Sequence, residues 1–133
     1  MKIGELAYKT GTTPKTLRFY EQIGVLQIPV RTSGGYREYN GDAFIRIQFI
    51  KAGQAIGLSL AEVRNLLRIR DEGVSPCTAA LVLLDEHLVE IRQRISELTG
   101  LKKTITELRA KAASLDASDC PPESVCRIIN PPH

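Results

Sequence analysis

Apolar residues are spaced along this chain in two ways. Over roughly the first half they fall in short clusters punctuated by glycine and proline; from Leu84 onward they form one long stripe. Ile3, Leu6 and Ala7 fit a short helix that stops at Gly11, a residue suited to a left-handed C-cap. Thr12-Thr13-Pro14 then reads as an N-cap at Thr13 with proline in the first turn, opening a second helix that runs to about Ile23 and ends at Gly24. Two short helices joined by a tight glycine-containing turn predict a helix-turn-helix. On the second helix Lys15, Arg18 and Gln22 share one face, while Leu17, Phe19 and Tyr20 divide between the core and the edge of that face. Ile28-Pro29-Val30-Arg31 and Tyr36-Arg37-Glu38-Tyr39 flank Thr32-Ser33-Gly34-Gly35, a β-hairpin pattern. A hairpin in that place makes a wing.

Asn40 caps a third helix, about Gly41 to Gly53, with Phe44, Ile47 and Ile50 inward. Ser59-Leu60-Ala61-Glu62 is a capping box that opens a fourth helix towards Arg70, and Asp71-Glu72-Gly73-Val74 breaks it. Ser75-Pro76-Cys77 repeats the N-cap and first-turn proline signal. One helix then extends to about Ser114, with no internal proline and the single Gly100. At about 1.5 Å per residue it is about 55 Å long. Its apolar positions are Leu84, Leu88, Ile91, Ile95, Leu98, Leu101, Ile105, Leu108, Ala112 and Leu115, spaced by threes and fours as in a heptad seam, with one extra three-residue step near Gly100. A lone helix cannot cover such a stripe. Either it pairs with its counterpart in a second chain, the more economical solution, or it folds back on its own head.

Composition narrows the class. With 133 residues, 43% hydrophobic and 25% charged, the chain has the make-up of an ordinary globular protein of about one domain, too short for a Rossmann enzyme with a substrate domain or for a TIM barrel. The start Met1-Lys2-Ile3-Gly4-Glu5 has no signal-peptide core and no apolar run reaches membrane-spanning length, so a soluble, cytoplasmic protein without a membrane partner is expected. Residues 1–51 hold eight Lys/Arg against four Asp/Glu, whereas the remainder holds ten against eleven. All seven aromatic residues lie at or before Phe49. A basic, aromatic head fits a polyanionic partner, the alternative being a solvated face. No nucleophile–base–acid constellation and no phosphate-cradling glycine loop is present, and neither of the two histidines neighbours a plausible catalytic partner, so an enzyme is not expected.

The three cysteines point to metal binding or thiol chemistry in a reducing compartment. Cys77 falls at the start of the long helix, where free amide groups and the positive dipole end suit an anionic group. Cys120 and Cys126 enclose five residues, Pro121 and Pro122 among them, a length suited to a small loop closed by two sulfurs. If two long helices pair antiparallel, Cys77 of one chain falls beside the loop of the other and three thiolates converge. The competing reading is a small apolar residue at Cys77 and an incidental reducible pair.

Ile3-Gly4-Glu5-Leu6-Ala7, Thr16-Leu17-Arg18-Phe19-Tyr20-Glu21 and Gly35-Tyr36-Arg37-Glu38-Tyr39 resemble the MerR family of bacterial transcription regulators. Cys77, Leu84-Asp85-Glu86-His87 and Cys126-Arg127-Ile128-Ile129 resemble its heavy-metal-sensing branch. The resemblance implies a mainly α fold: a winged helix-turn-helix head over 1–73, an antiparallel coiled-coil homodimer through 75–115, and a metal loop and tail over 116–133 completed by the partner's cysteine. It implies promoter DNA held by Thr13, Lys15 and Arg18 in the major groove and by Tyr20, Arg31, Tyr36 and Arg37 at the backbone. It also implies a pseudo-palindromic operator in an over-long promoter spacer, distorted so that RNA polymerase can read it. Members that sense monovalent copper or gold carry serine at the Cys77 position, so Cys77, Cys120 and Cys126 imply a divalent soft or borderline ion: zinc, cadmium, lead or mercury. The better-known divalent sensors carry a cysteine where this chain has Ala112, and here Cys120 takes that part. Asp119, Glu123 and His87 are further candidate ligands, against a solvated or structural role for each, and His133 belongs to a loose end. Two alternatives compete: a redox sensor of the same fold, closing Cys120 and Cys126 into a disulfide, and a metal carrier without DNA binding. An iron–sulfur cluster held by one chain commonly needs four cysteines, and nothing beyond Cys126 is long enough for a drug-binding domain.

Overall fold

The computed structural model describes residues 1–114 and 120–130. It is mainly helical: α1 is Ile3–Thr10, α2 Pro14–Gln22, α3 Gly41–Ala55, α4 Leu60–Asp71 and α5 Cys77–Ala112, followed by a short 3-10 turn at Pro122–Ser124. The chain divides into two compact units, Met1–Leu81 and Val82–His133. No helix among the described residues is long and apolar enough to cross a membrane.

Local signals set the ends of the head helices. Gly11 closes α1 in the left-handed region at φ 66°, a conformation nearly free of cost only for glycine. Thr13 Oγ1 accepts from the Thr16 N–H and Pro14 opens α2. Asn40 Oδ1 accepts from the Ala43 N–H at the start of α3. Ser59 and Glu62 exchange both bonds of a capping box at α4. The amphipathic faces then close on one core, with Leu6, Leu17, Leu26, Ile47, Ile50 and Leu66 buried. Phe44, expected inward, is half-buried.

The helices α3 and α4 approach closely at Gly53, where an added Cβ would stand 2.9 Å from Val63 Cγ2. Alanine there gains about 1 kcal/mol of helix propensity but overpacks the contact at a cost of about 1–3 kcal/mol. Gly53→Ala is therefore expected to lower the denaturation midpoint; an increase would mean that Val63 yields freely.

Part of the basic charge is structural. Arg46, 2% exposed, donates from Nε to the Val25 carbonyl (3.2 Å) and from Nη1 to Asp71 Oδ1 (2.6 Å). Arg70 binds Asp42 across the same two helices, and this hydrogen bond holds the Asp42 carboxyl below its ordinary value. Lys51 Nζ donates to the Thr10 carbonyl.

The expected hairpin is reduced to one antiparallel bridge, Arg31 with Arg37, and no strand forms among the described residues. Thr32 N–H donates to Tyr36 O (2.7 Å), Gly35 N–H to Thr32 O (2.9 Å) and Glu38 N–H to Val30 O (3.3 Å). Pairing goes no further because Pro29 has no N–H to offer and Ile28 and Val30, 68% and 87% exposed, find no sheet to pack on. The wing is a hydrogen-bonded turn rather than a ribbon.

Helix α5 has no buried residue. The stripe from Leu84 to Ile105 is 41–63% exposed at its seven leucine and isoleucine positions. Leu115, the last position of the expected seam, lies outside the described residues, as do Asp119 and His133.

Candidate nucleic-acid interface and cysteine loop

Helix α2 presents Lys15, Arg18 and Gln22 on one exposed face, and the side chains of Lys15 and Arg18 make no hydrogen bond or ion pair among the described residues. Thr13 is exposed, with its hydroxyl 3.0 Å from that of Thr16. The start of α1, the middle of α2 and the wing enclose a groove lined by Lys2, Arg18, Arg31, Tyr36 and Arg37. Two acids also border it: Glu38 is paired with the Met1 amine (2.8 Å) and Glu5 with Lys9 (3.3 Å). Lys2 Nζ stands 4.6 Å from the centre of the Tyr36 ring, a cation–π contact. Arg31 Nη1 donates to the Gly35 carbonyl at the turn (3.4 Å).

The structure thus brings Arg18, Arg31, Tyr36 and Arg37 around one concavity and leaves Lys15 on the same helix as Arg18. Tyr20 differs from the expectation. It is 5% exposed, and its hydroxyl donates to Gln54 Oε1 of α3 at 3.4 Å. The reason is helical geometry: Tyr20 lies three residues beyond Leu17 and shares its inward face, so Phe19, 45% exposed, takes the edge instead. Tyr20 is corrected to a core residue.

Two residues escaped the sequence reading, Lys2 in the groove and Glu21 buried beneath the wing. Lys2 precedes the first helix, where no periodicity marks it. Glu21 lies four residues beyond Leu17 and so points inward; an acid on the apolar face was the signal that could have singled it out. Its Oε1 accepts from the Tyr39 hydroxyl (2.6 Å) and from Arg37 Nη1 (3.3 Å). Burial, followed by the bond to Glu21, pushes the Tyr39 hydroxyl up to about 12.

The cysteines are placed as follows. Cys77 is exposed at the first residue of α5, its N–H donating to Ser75 Oγ at 3.4 Å. Cys120 and Cys126 are half-buried and unoxidised, either side of the 3-10 turn. Cys120 Sγ accepts from the Arg127 N–H (3.2 Å) and its thiol faces the Val125 carbonyl (3.8 Å). Hydrogen bonds from the Ile129 and Ile128 N–H groups hold the Cys126 thiol below its ordinary value, with a further contribution from the Cys120 thiol hydrogen-bonded to it. Val125, at φ 63° with a β-branched side chain, supplies the strained reversal that brings Cys126 back to Cys120. Backbone N–H groups directed at the Cys126 sulfur favour its thiolate over its thiol. Among the described residues no three His, Cys, Asp or Glu side chains converge, so the loop of one chain offers two sulfurs. Glu123 is exposed beside them.

Comparison with known proteins places this geometry. The family model described as MerR HTH family regulatory protein matches residues 1–69, and the one described as MerR, DNA binding matches residues 44–117. The HTH-type transcriptional regulator ZntR homolog of Haemophilus influenzae is 39% identical over 87% of this chain and 86% of its own. The transcription regulator PbrR691 from Ralstonia metallidurans, solved in complex with lead(II), superposes with a TM-score of 0.77 at 35% identity, covering 98% of this chain and 97% of that one. The regulator MerR from Bacillus megaterium, solved with a mercury(II) ion, gives a TM-score of 0.65 at 28% identity over 98% and 97% of the two chains. Its winged helix-turn-helix head, its long helix and these relatives together make the chain a member of the MerR family of DNA-binding transcription regulators.

Proposed function

We propose that this regulator works as an antiparallel homodimer that switches transcription in response to a divalent soft or borderline metal ion. The observation that carries the metal reading is the Cys120–Cys126 loop, with two adjoining sulfurs under inward-pointing N–H groups. A closed site for such an ion takes at least three donors, with thiolate preferred by soft ions. The loop falls short by one or two, and the exposed Cys77 of a second copy is the matching sulfur. Cys77, Cys120 and Cys126 would hold the ion, which would supply the cross-link between the two chains. Relatives solved with lead(II) and mercury(II) support this choice of ion class.

On DNA, α2 enters the major groove with Lys15 and Arg18, while Lys2, Arg31, Tyr36 and Arg37 meet the backbone and the Thr13 hydroxyl stands at the helix entrance. Two heads related by a twofold axis call for a pseudo-palindromic operator. The dimer bends and untwists the promoter spacer for RNA polymerase, and the metal stabilises the distorting conformation rather than adding affinity. Titrating zinc, cadmium, lead or mercury into the dimer on its promoter is expected to change transcription far more than binding; equal changes in both would contradict the switch.

For the interface, Arg18→Ala is expected to weaken binding and to reduce the salt dependence by about one released counterion per head, the yield of one phosphate contact. An unchanged slope with lost discrimination among sequences would make Arg18 a base reader instead.

The contact between Cys120 and Cys126 also supports a disulfide switch. The two readings separate on one sample: a two-proton mass loss under mild oxidation against metal stoichiometry in the reduced protein.

A further inference from the structure

Glu21 occupies a place where packing alone would call for an apolar residue. It follows Leu17 and Tyr20 on the inward face of α2 and is 8% exposed. Its Oε1 takes two bonds from the wing, the Tyr39 hydroxyl at 2.6 Å and Arg37 Nη1 at 3.3 Å. Among the described residues its Oε2 is buried without a hydrogen-bond partner, and so is Arg37 Nε. A buried carboxylate is costly unless its partners are well made, so half-satisfied charge at this point is not explained by stability.

The wing has little else to hold it. One backbone bridge closes it, Ile28 and Val30 face outward, and its other ties among the described residues run to the start of the chain: Lys2 on Tyr36, the Met1 amine on Glu38 and on the Tyr39 carbonyl (2.8 Å), and the Tyr39 N–H to the Met1 carbonyl (2.7 Å). None of these reaches α2; among the described residues the side-chain hydrogen bonds that tie the wing to α2 itself end on Glu21. The short Tyr39 bond does most of the holding. Arg37, bound once and 28% exposed, keeps donors for another acceptor.

We infer that Glu21 is a positioning residue for DNA binding: its buried carboxylate fixes Tyr39 and Arg37 so that the wing meets the duplex in register with Lys15 and Arg18 of the same head. This rests on the DNA-contacting surface proposed above. It makes a defined demand, because removing the tie should cost the Arg37 contact without touching Arg37 itself.

The test uses the full-length dimer and a 30-base-pair duplex selected by the wild-type protein from a random pool, with affinity measured across a salt series. Tyr39→Phe and Glu21→Gln are each expected to bind about tenfold more weakly, the worth of one well-made hydrogen bond to a charged group. Both should flatten the salt slope by about two counterions per dimer, the same change expected of Arg37→Ala. Adding Tyr39→Phe to Arg37→Ala should change the slope no further, as expected for coupled residues. Should Glu21→Gln fail to fold, Tyr39→Phe, which removes one hydroxyl, decides alone. Wild-type affinity and slope in Tyr39→Phe, with Arg37→Ala weakened, would overturn the positioning role and leave the interface standing. Wild-type binding by Arg37→Ala would remove Arg37 from the interface, and the inference with it.

Discussion

Replacing Cys77 by serine is expected to abolish metal-induced transcription while leaving operator binding essentially unchanged. Among the described residues the loop of each chain offers two sulfurs, Cys120 and Cys126, with no third His, Cys, Asp or Glu side chain converging on them. Losing the third sulfur should weaken metal affinity by more than the roughly 10–100-fold that loss of a group merely supporting a ligand costs. The substitution is otherwise mild. Cys77 is exposed, and serine at an exposed position of this kind shifts stability by no more than about 0.5 kcal/mol. Lys15, Arg18 and the wing lie in other parts of the chain, so basal DNA binding should survive. Chelator competition gives the affinity and run-off transcription gives the response; full induction by Cys77→Ser would remove it from the site.

A glutamate in the seam of α5 should separate the dimer. Ile91 is 48% exposed in the single chain and is the third position of the stripe. Burying an isoleucine is worth roughly 1.5–3 kcal/mol, and twofold symmetry counts each substitution twice. Ile91→Glu is therefore expected to raise the dimer dissociation constant by about 10²–10⁴-fold before charge desolvation is added. Val89→Glu is the matched control: Val89 is also apolar and 65% exposed but lies off the seam. Sedimentation equilibrium should find Val89→Glu dimeric and Ile91→Glu dissociated. Equal behaviour of the two would mean that the stripe is not the contact.

The parts of this fold that could be read in advance are those governed by local chemistry. Gly11, Thr13-Pro14, Asn40 and the Ser59–Glu62 pair each settle a helix end within four residues. The wing was less legible because strand pairing needs partners across the chain, and Pro29 and the unsupported Ile28 and Val30 withdraw them. Tyr20 was misplaced because the inward and groove-facing sides of a nine-residue helix adjoin; only the core position of Leu17 decides between them. The count of basic residues also overstated the free charge, since Arg46 is spent on Asp71 and Lys51 on the Thr10 carbonyl. In the loop, the spacing of Cys120 and Cys126 indicated a pair, but the reversal at Val125 and the N–H groups of 127–129 carry no residue signature.

A mixing experiment bears most directly on the shared pocket. Cys77→Ser retains the loop sulfurs, and the Cys120→Ser, Cys126→Ser double variant retains Cys77. Each alone should bind no ion tightly. Exchanged into a heterodimer, they should regain one tight site per dimer, half the wild-type number, because one end then unites all the required sulfurs. Failure of the mixture to bind, with heterodimer formation verified by native mass spectrometry, would contradict a pocket built from two chains.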